Sequence, residues 1–147
     1  MADFISNHRL NSLLIDMGRS LLQYVGESWP WTGYDEAEEQ AAINTLVADQ
    51  KASVQALAEL LADRGHFIDP GSYPTEYTSL HYVALDYLLN QLVAEQRELV
   101  DECAGLAGAA HDDPEAGPLL ARIADQAAAQ LKTLEELDAK RATHQPA

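Results

Sequence analysis

Positive charge is what this chain has least of. Nine Lys and Arg residues stand against 24 Asp and Glu over 147 residues, a net charge of −15. A nucleic-acid surface needs clustered cations to neutralise phosphates and release counterions, so nucleic acid is excluded as a partner. An anionic membrane surface is excluded on the same ground. No apolar run approaches the roughly 20 residues that span a bilayer, and the opening MADFISNHRL lacks the basic and apolar regions of a signal peptide. The expectation is a cytoplasmic protein. Cys103 is the single cysteine, which leaves no intrachain disulfide, no CxxC pair and no thiolate-rich metal site. Missing too are G-x-S-x-G, a Walker loop, G-x-G-x-x-G and H-E-x-x-H, so no catalytic motif supports an enzyme.

β-branched aliphatics are also scarce. Val and Ile supply 11 residues against 24 Ala and 21 Leu, a balance that favours helix and starves a sheet. The fold class expected is all-α, and the 47% hydrophobic content suffices for one core. One domain over residues 1–141 is expected, with 142–147 as a frayed tail. Four segments carry helical periodicity. The first runs from about Ser6 to Val25, with Leu10, Leu13, Leu14, Met17, Leu21 and Val25 on one face and Gly26 placed to stop it. The second opens at the D-x-x-E pattern of Asp35 and Glu38 and ends at Arg64, with Gly65 beyond it. The third starts between Thr75 and Ser79 and runs to about Ala104. The fourth follows Asp113 and Pro114, a cap and a first-turn proline, and continues to about Lys140.

Between the second and third segments, GHFIDPGSYPTEYT offers about 14 residues that reach over 40 Å when extended, longer than a 20-residue helix. A crossover along the whole bundle is therefore possible, which makes the second and third helices parallel. LVADQK at 46–51 recurs as LVAEQR at 92–97, and IADQ at 123–126 echoes both. Helix-hairpin duplication and shared amphipathic patterning both account for the echo.

This layout, and the phrase LVADQKASVQALAELLADRG in particular, resembles the ferritin-like superfamily. That resemblance implies a four-helix bundle with a long crossover between helices 2 and 3. In metal-carrying members, a Glu from each of two helices and Glu-x-x-His from each of the other two hold iron or manganese. Here the matching positions read Asp49-Gln50-Lys51-Ala52 and Asp125-Gln126-Ala127-Ala128, so both histidines are missing. At about 100° per residue, the apolar stripe of helix 2 centres on Gln50 and that of helix 3 on Gln96, with Asp49 and Glu95 at the margins. The helix 4 stripe takes in Gln130, and helix 1 turns Asp16 away from its apolar face.

The resulting expectation is a divergent, non-catalytic member of that superfamily with no cofactor and no metal, in which Gln50, Gln96 and Gln130 fill the core as paired amides. They are expected to bond to one another, to Tyr24 or to water, and a Gln50–Gln96 pair is the arrangement to test. An atypical carboxylate metalloprotein or oxidase using Asp49, Glu95 and Asp125 is the alternative, and an oligomerisation scaffold is a third. The partner expected is an unknown protein or small molecule.

Eight of the ten aromatics gather in stretches expected at one end of the bundle. There they form either a ligand pocket walled by Trp29, Trp31, Tyr73 and Tyr77, with Glu76, His81 and Asp35 as polar handles, or a plug that pins the crossover. The opposite end brings His8, His66 and His111 near Asp63, Asp69, Asp112 and Asp113, where surface histidines are the default. Cys103 lies in an apolar stripe and reads as an inert thiol. Ile15, Gly18 and Leu22 widen the apolar arc of helix 1 to about 200°, which suggests a homodimer through that helix or a covering loop from residues 26–34.

Overall fold

Capping chemistry sets most helix ends. In the computed structural model, which describes residues 5–27, 37–82 and 85–143, Ser6 Oγ accepts the Arg9 N–H at 3.1 Å and starts α1 (Asn7–Gly18). After α2 (Leu21–Glu27), α3 (Ala37–Asp63) ends on Gly65 at φ +69°, with the Gly65 N–H on the Ala62 carbonyl and the His66 N–H on that of Leu61. That pattern closes a helix on a left-handed residue that glycine adopts without strain. A 3₁₀ segment, Thr75–Tyr82, precedes α4 (Leu85–Ala109), and Asp113 Oδ1 accepts the N–H groups of Glu115 and Ala116, both at 3.0 Å, to start α5 (Ala116–Thr143). The described residues contain no strand, and no helix is long and apolar enough to cross a membrane.

Three boundaries differ from those expected. The first helix is broken at Gly18–Ser20, the third begins with the 3₁₀ segment and runs on to Ala109, and α5 continues to Thr143. A glycine inside a helix costs about 1 kcal/mol. Burying a leucine returns about 1.5 to 3 kcal/mol. Burial of Leu106 and Ala110 therefore carries α4 through Gly105 and Gly108. Asp35 lies outside the described residues.

Contacts fix the directions of the helices. Arg64 at the end of α3 reaches Asn7 at the start of α1 (3.2 Å), while Gly26 lies against Val47, so α1 and α2 run opposite to α3. Lys140 pairs with Glu38 and the Gln130 amide with the Leu46 carbonyl, so α5 also runs opposite to α3. Arg141 pairs with Asp86 and the Gln96 amide with the Ala127 carbonyl, so α4 runs opposite to α5. Hence α3 and α4 are parallel, and the chain between them has to travel the length of the bundle. It climbs along α1 and α2. Asn11 exchanges two hydrogen bonds with the Asp69 backbone (3.0 Å each), Arg19 Nε reaches the Pro70 and Gly71 carbonyls (3.2 Å each), and Tyr73 stacks edge-on against Tyr24. Gly71 sits at φ +68°, so close that a Cβ there would come within 2.7 Å of Ile15. Thus the wide arc of helix 1 is covered within the chain, Ile15 by the crossover and Gly18 by Val54, while Leu22 is buried in the core. Ile15 and Gly18 remain half-buried.

The core divides into two apolar clusters. One gathers Leu10, Leu13, Leu57, Leu61, Cys103 and Leu120, and the other Leu22, Ile43, Leu85, Leu88, Leu89 and Leu134. Beyond the first, Arg64 forms a double hydrogen bond to the buried Asp113 carboxylate (2.9 and 2.8 Å). Burial pushes the Asp113 carboxyl up, but the Ala116 and Glu115 N–H groups and the Arg64 guanidinium together outweigh it and hold it below the ordinary range. Arg64→Ala, which takes the guanidinium from a buried carboxylate and leaves it only the two backbone N–H groups, should cost about 3 kcal/mol in urea denaturation. Because the Asp113 pKa is lowered on folding, its contribution is present above the ordinary carboxylate pKa and fades as pH falls through the lowered value. Asp113→Asn should flatten that acid limb of the stability curve.

Candidate functional site

Breaking the first helix leaves the first N–H groups of α2 without intrahelical partners. Ser20 caps them, with its Oγ accepting the Gln23 N–H at 3.3 Å, and the Glu95 carboxylate reaches from α4 to accept the Leu21 N–H at 3.0 Å. The Ser20 hydroxyl in turn donates to Gln50 Oε1 at 3.0 Å. Gln23 Nε2 donates to the same oxygen at 2.9 Å and to the Val47 carbonyl at 2.9 Å. On the other side of the bundle, Gln96 Nε2 donates to the Ala127 carbonyl at 3.0 Å and to Gln130 Oε1 at 3.4 Å, and the Ser53 hydroxyl donates to Gln126. These side chains form a polar layer between the two apolar clusters.

Gln50, Gln96 and Gln130 are all buried, at 0%, 3% and 3% exposure. A Gln50–Gln96 pair does not form. Gln96 pairs with Gln130, and Gln50 with Gln23 and Ser20, because the break at Gly18–Ser20 turns Gln23 inward and places a closer donor beside Gln50. The carboxylates of the alternative metal set are not brought together. Asp49 and Asp125 are exposed, whereas Glu95 is held by the Leu21 N–H and by the Tyr77 hydroxyl at 3.2 Å. No group of three or more His, Cys, Asp or Glu side chains among the described residues could hold a metal ion. At the far end, His8 and His111 are exposed and His66 is half-buried, Asp63, Asp69 and Asp112 are exposed, and Asp113 is engaged by Arg64.

Tyr73 and Tyr77 pack with Tyr24 at centroid separations of 5.3 and 5.5 Å, and Arg19 lies 4.9 Å from the Tyr73 ring centroid. This cluster ties the crossover to α2. Trp29, Trp31 and Tyr34 lie outside the described residues, as does the side chain of His81 in the 3₁₀ segment. Phe67 does not join the cluster. It is exposed at the start of the crossover, and Tyr87 is half-exposed on α4.

Beside the polar layer, where the crossover, α1 and α4 meet, lies an open groove of about 560 Å³. Its walls carry Asp16, Glu95, Glu98 and Glu102 against one cation, Arg19, and its apolar surface comes from Ile15, Pro74, Tyr77 and Leu99. Burial raises the Glu95 carboxyl, the Leu21 N–H and Tyr77 hydroxyl pull it back, and the charges of Glu98 and Asp16 add to the rise, so that it stands above the ordinary range. The Tyr77 phenol is raised by burial and then by Glu95, which keeps it a donor. Glu102 is pushed up to about 8 by burial and by its hydrogen bond and charge repulsion with Asp16. Cys103 is raised to about 12 by burial and by the charges of Glu102 and Asp16, which makes it a poor nucleophile.

Sequence reasoning missed Ser20, Gln23 and Glu102, and it gave Asp16 no role. One signal was there. Ser20-Leu21-Leu22-Gln23 is the S-x-x-Q capping pattern, which marks a new helix start inside what reads as one periodic run. Comparison with known proteins returns no matching family, no similar curated protein and no similar solved structure.

The pairing observed in the layer is testable by double-mutant cycles. Gln96→Leu removes the Gln130 Oε1 donor and should cost about 1 to 3 kcal/mol, with Gln96→Leu/Gln130→Leu recovering much of the loss. Gln50 and Gln23 should couple in the same way. Gln50 and Gln96 should be additive within about 0.5 kcal/mol, and strong coupling between them would contradict the arrangement described.

Proposed function

We propose that the chain is a ferritin-like four-helix bundle, with α1 and α2 together standing as its first helix, that acts in the cytoplasm as a binding protein without a di-metal centre. The parallel course of α3 and α4 and the long crossover between them favour that bundle. The observation that carries the functional reading is the amide layer. Gln50, Gln96 and Gln130 are buried in the middle of the bundle, and the groove of about 560 Å³ lies beside that layer. A volume of that size suits a small molecule. Four carboxyl groups against one guanidinium favour a cationic one, such as an aliphatic amine whose methylenes lie along Leu99, Pro74 and Tyr77.

Titration calorimetry with spermidine tests this reading. Binding should weaken steeply between about 50 and 300 mM salt, as screening shortens the reach of the carboxylates. It should fall by roughly tenfold in Glu98→Gln, one lost charge-assisted contact being worth about 1.5 kcal/mol. No heat with any di- or polyamine would remove the ligand reading. Stoichiometric iron or manganese in untagged protein, lost in Glu95→Gln, would replace it with the carboxylate metalloprotein or oxidase. Self-association without any ligand would favour a scaffold.

A further inference from the structure

Arg19 is the single cation of the groove, and its position is already fixed. Its Nε–H goes to the Pro70 and Gly71 carbonyls of the crossover (3.2 Å each), and the guanidinium lies over the Tyr73 ring, its carbon 4.9 Å from the centroid. A guanidinium has five N–H donors, so the four on Nη1 and Nη2 remain. The Tyr73 hydroxyl lies near them, and Arg19 forms no ion pair among the described residues, although Asp16 and Glu95 line the same groove. The charges are arranged in order along the groove. Since α1 runs opposite to α4, Arg19 stands at the level of Glu95, whose carboxylate takes the N–H of Leu21 two residues further on. Glu98 and Glu102 follow along α4 at rises of about 5 and 10 Å, and Asp16, one turn before Arg19, lines the same stretch. Glu95 itself is engaged by the Leu21 N–H and the Tyr77 hydroxyl. One end of the groove thus offers a fixed cation and the other a run of acids.

We propose that Arg19 is the carboxylate-binding residue of the groove and that the ligand is an amino acid with a cationic side chain, its carboxylate on the Arg19 Nη groups and its side-chain ammonium on Glu98 and Glu102. This rests on the ligand reading above and narrows it. A guanidinium pinned through Nε and stacked on a ring has lost its rotamer freedom before a ligand arrives, so less entropy is lost for each bond made to it. Its Nη groups match the two oxygens of a carboxylate, and they repel an ammonium. A bare amine therefore leaves Arg19 unused, whereas an amino acid satisfies both ends of the groove. Length agrees with this. The four methylenes of lysine set its ammonium about 6 Å from Cα, between the rises that separate Glu98 and Glu102 from the level of Arg19.

Lysine and cadaverine differ by one carboxylate, and titration calorimetry with the two tests the assignment. Net charge alone favours cadaverine, a dication, in a groove with four acids. Arg19 should reverse that order, with lysine binding about tenfold tighter through one charge-assisted pair. Lysinamide, which keeps both amines but not the carboxylate, should fall to the level of cadaverine. Arg19→Gln should erase the preference for lysine while cadaverine binds as well as before or better, and Glu98→Gln should weaken both. If Arg19 serves only to pin the crossover, Arg19→Gln will lower the melting temperature and weaken all three ligands alike, which would overturn the assignment. So would a lysine preference that survives Arg19→Gln, or lysinamide binding as tightly as lysine to the wild type. Should the variant fail to fold, the wild-type comparison of lysine with lysinamide decides alone. Cadaverine binding with no preference for lysine removes this inference and leaves the ligand reading standing, whereas no heat from lysine, cadaverine or spermidine removes both.

Discussion

A helix that stops and restarts inside a bundle exposes N–H groups where water cannot freely reach them, and each one left unpaired costs about 1 to 3 kcal/mol. At Gly18–Ser20 this constraint organises the middle of the molecule. Ser20 and Glu95 take the N–H groups of Gln23 and Leu21. Ser20 then needs an acceptor for its own proton, which Gln50 supplies, and the same Gln50 oxygen takes the Gln23 amide, whose second hydrogen goes to the Val47 carbonyl. A local backbone break thus becomes a polar layer crossing three helices. The apolar core is divided into two clusters as a result.

The same break decides the electrostatics. Glu95 is drawn to a half-buried place by the Leu21 N–H, and because its partners are one amide and one phenol instead of a cation, burial dominates and its carboxyl is raised. Asp113 shows the opposite outcome with the same chemical group. It too is buried and caps a helix, but Arg64 supplies a full positive charge, its Nη2 donating to both carboxylate oxygens, and its carboxyl is lowered. The two sites lie at different levels of the bundle and pull stability in opposite directions with pH. Asp113 favours the neutral range over acid, and Glu102, next to the groove that Glu95 also lines, favours mild acid over alkali.

Periodicity made the helices legible, together with the caps at Ser6 and Asp113, the stop at Gly65 and the inward face of Gln50, Gln96 and Gln130, because each of those depends on residues within one or two turns. The partners of the glutamines were not legible. Helical wheels place a side chain on a face without saying what stands opposite, and the wheel drawn through Gly18 assumed a phase that the break resets, which concealed Gln23. Asp16 is turned away from the apolar stripe of helix 1 and Glu102 from the Gln96-centred stripe, so a single helix gives no sign of either. They become a pair only when α1 and α4 are laid side by side. The arc of Ile15, Gly18 and Leu22 was legible as apolar but not as covered, since its cover is partly a crossover whose glycine at position 71 reads as an ordinary turn residue.

Net charge explains why amides suit the polar layer. At −15, with nine cations in the whole chain, a carboxylate placed in the core would need a positive partner that this sequence has in short supply. Arg64 is committed to Asp113, Arg97 to Glu135, and Arg141 and Lys140 to the acids at the starts of α3 and α4. An uncompensated buried carboxylate raises its pKa until it neutralises itself, as Glu102 does at the edge of the interior. A glutamine avoids that conflict, because it donates and accepts while remaining neutral at every pH the protein meets. Gln96 uses this directly, donating to a backbone carbonyl of α5 and to Gln130 at once, which ties two helices together without adding to the charge. The acids are thereby confined to helix margins and exposed faces, and where those margins converge, between α1 and α4, their repulsion has no layer of amides to absorb it.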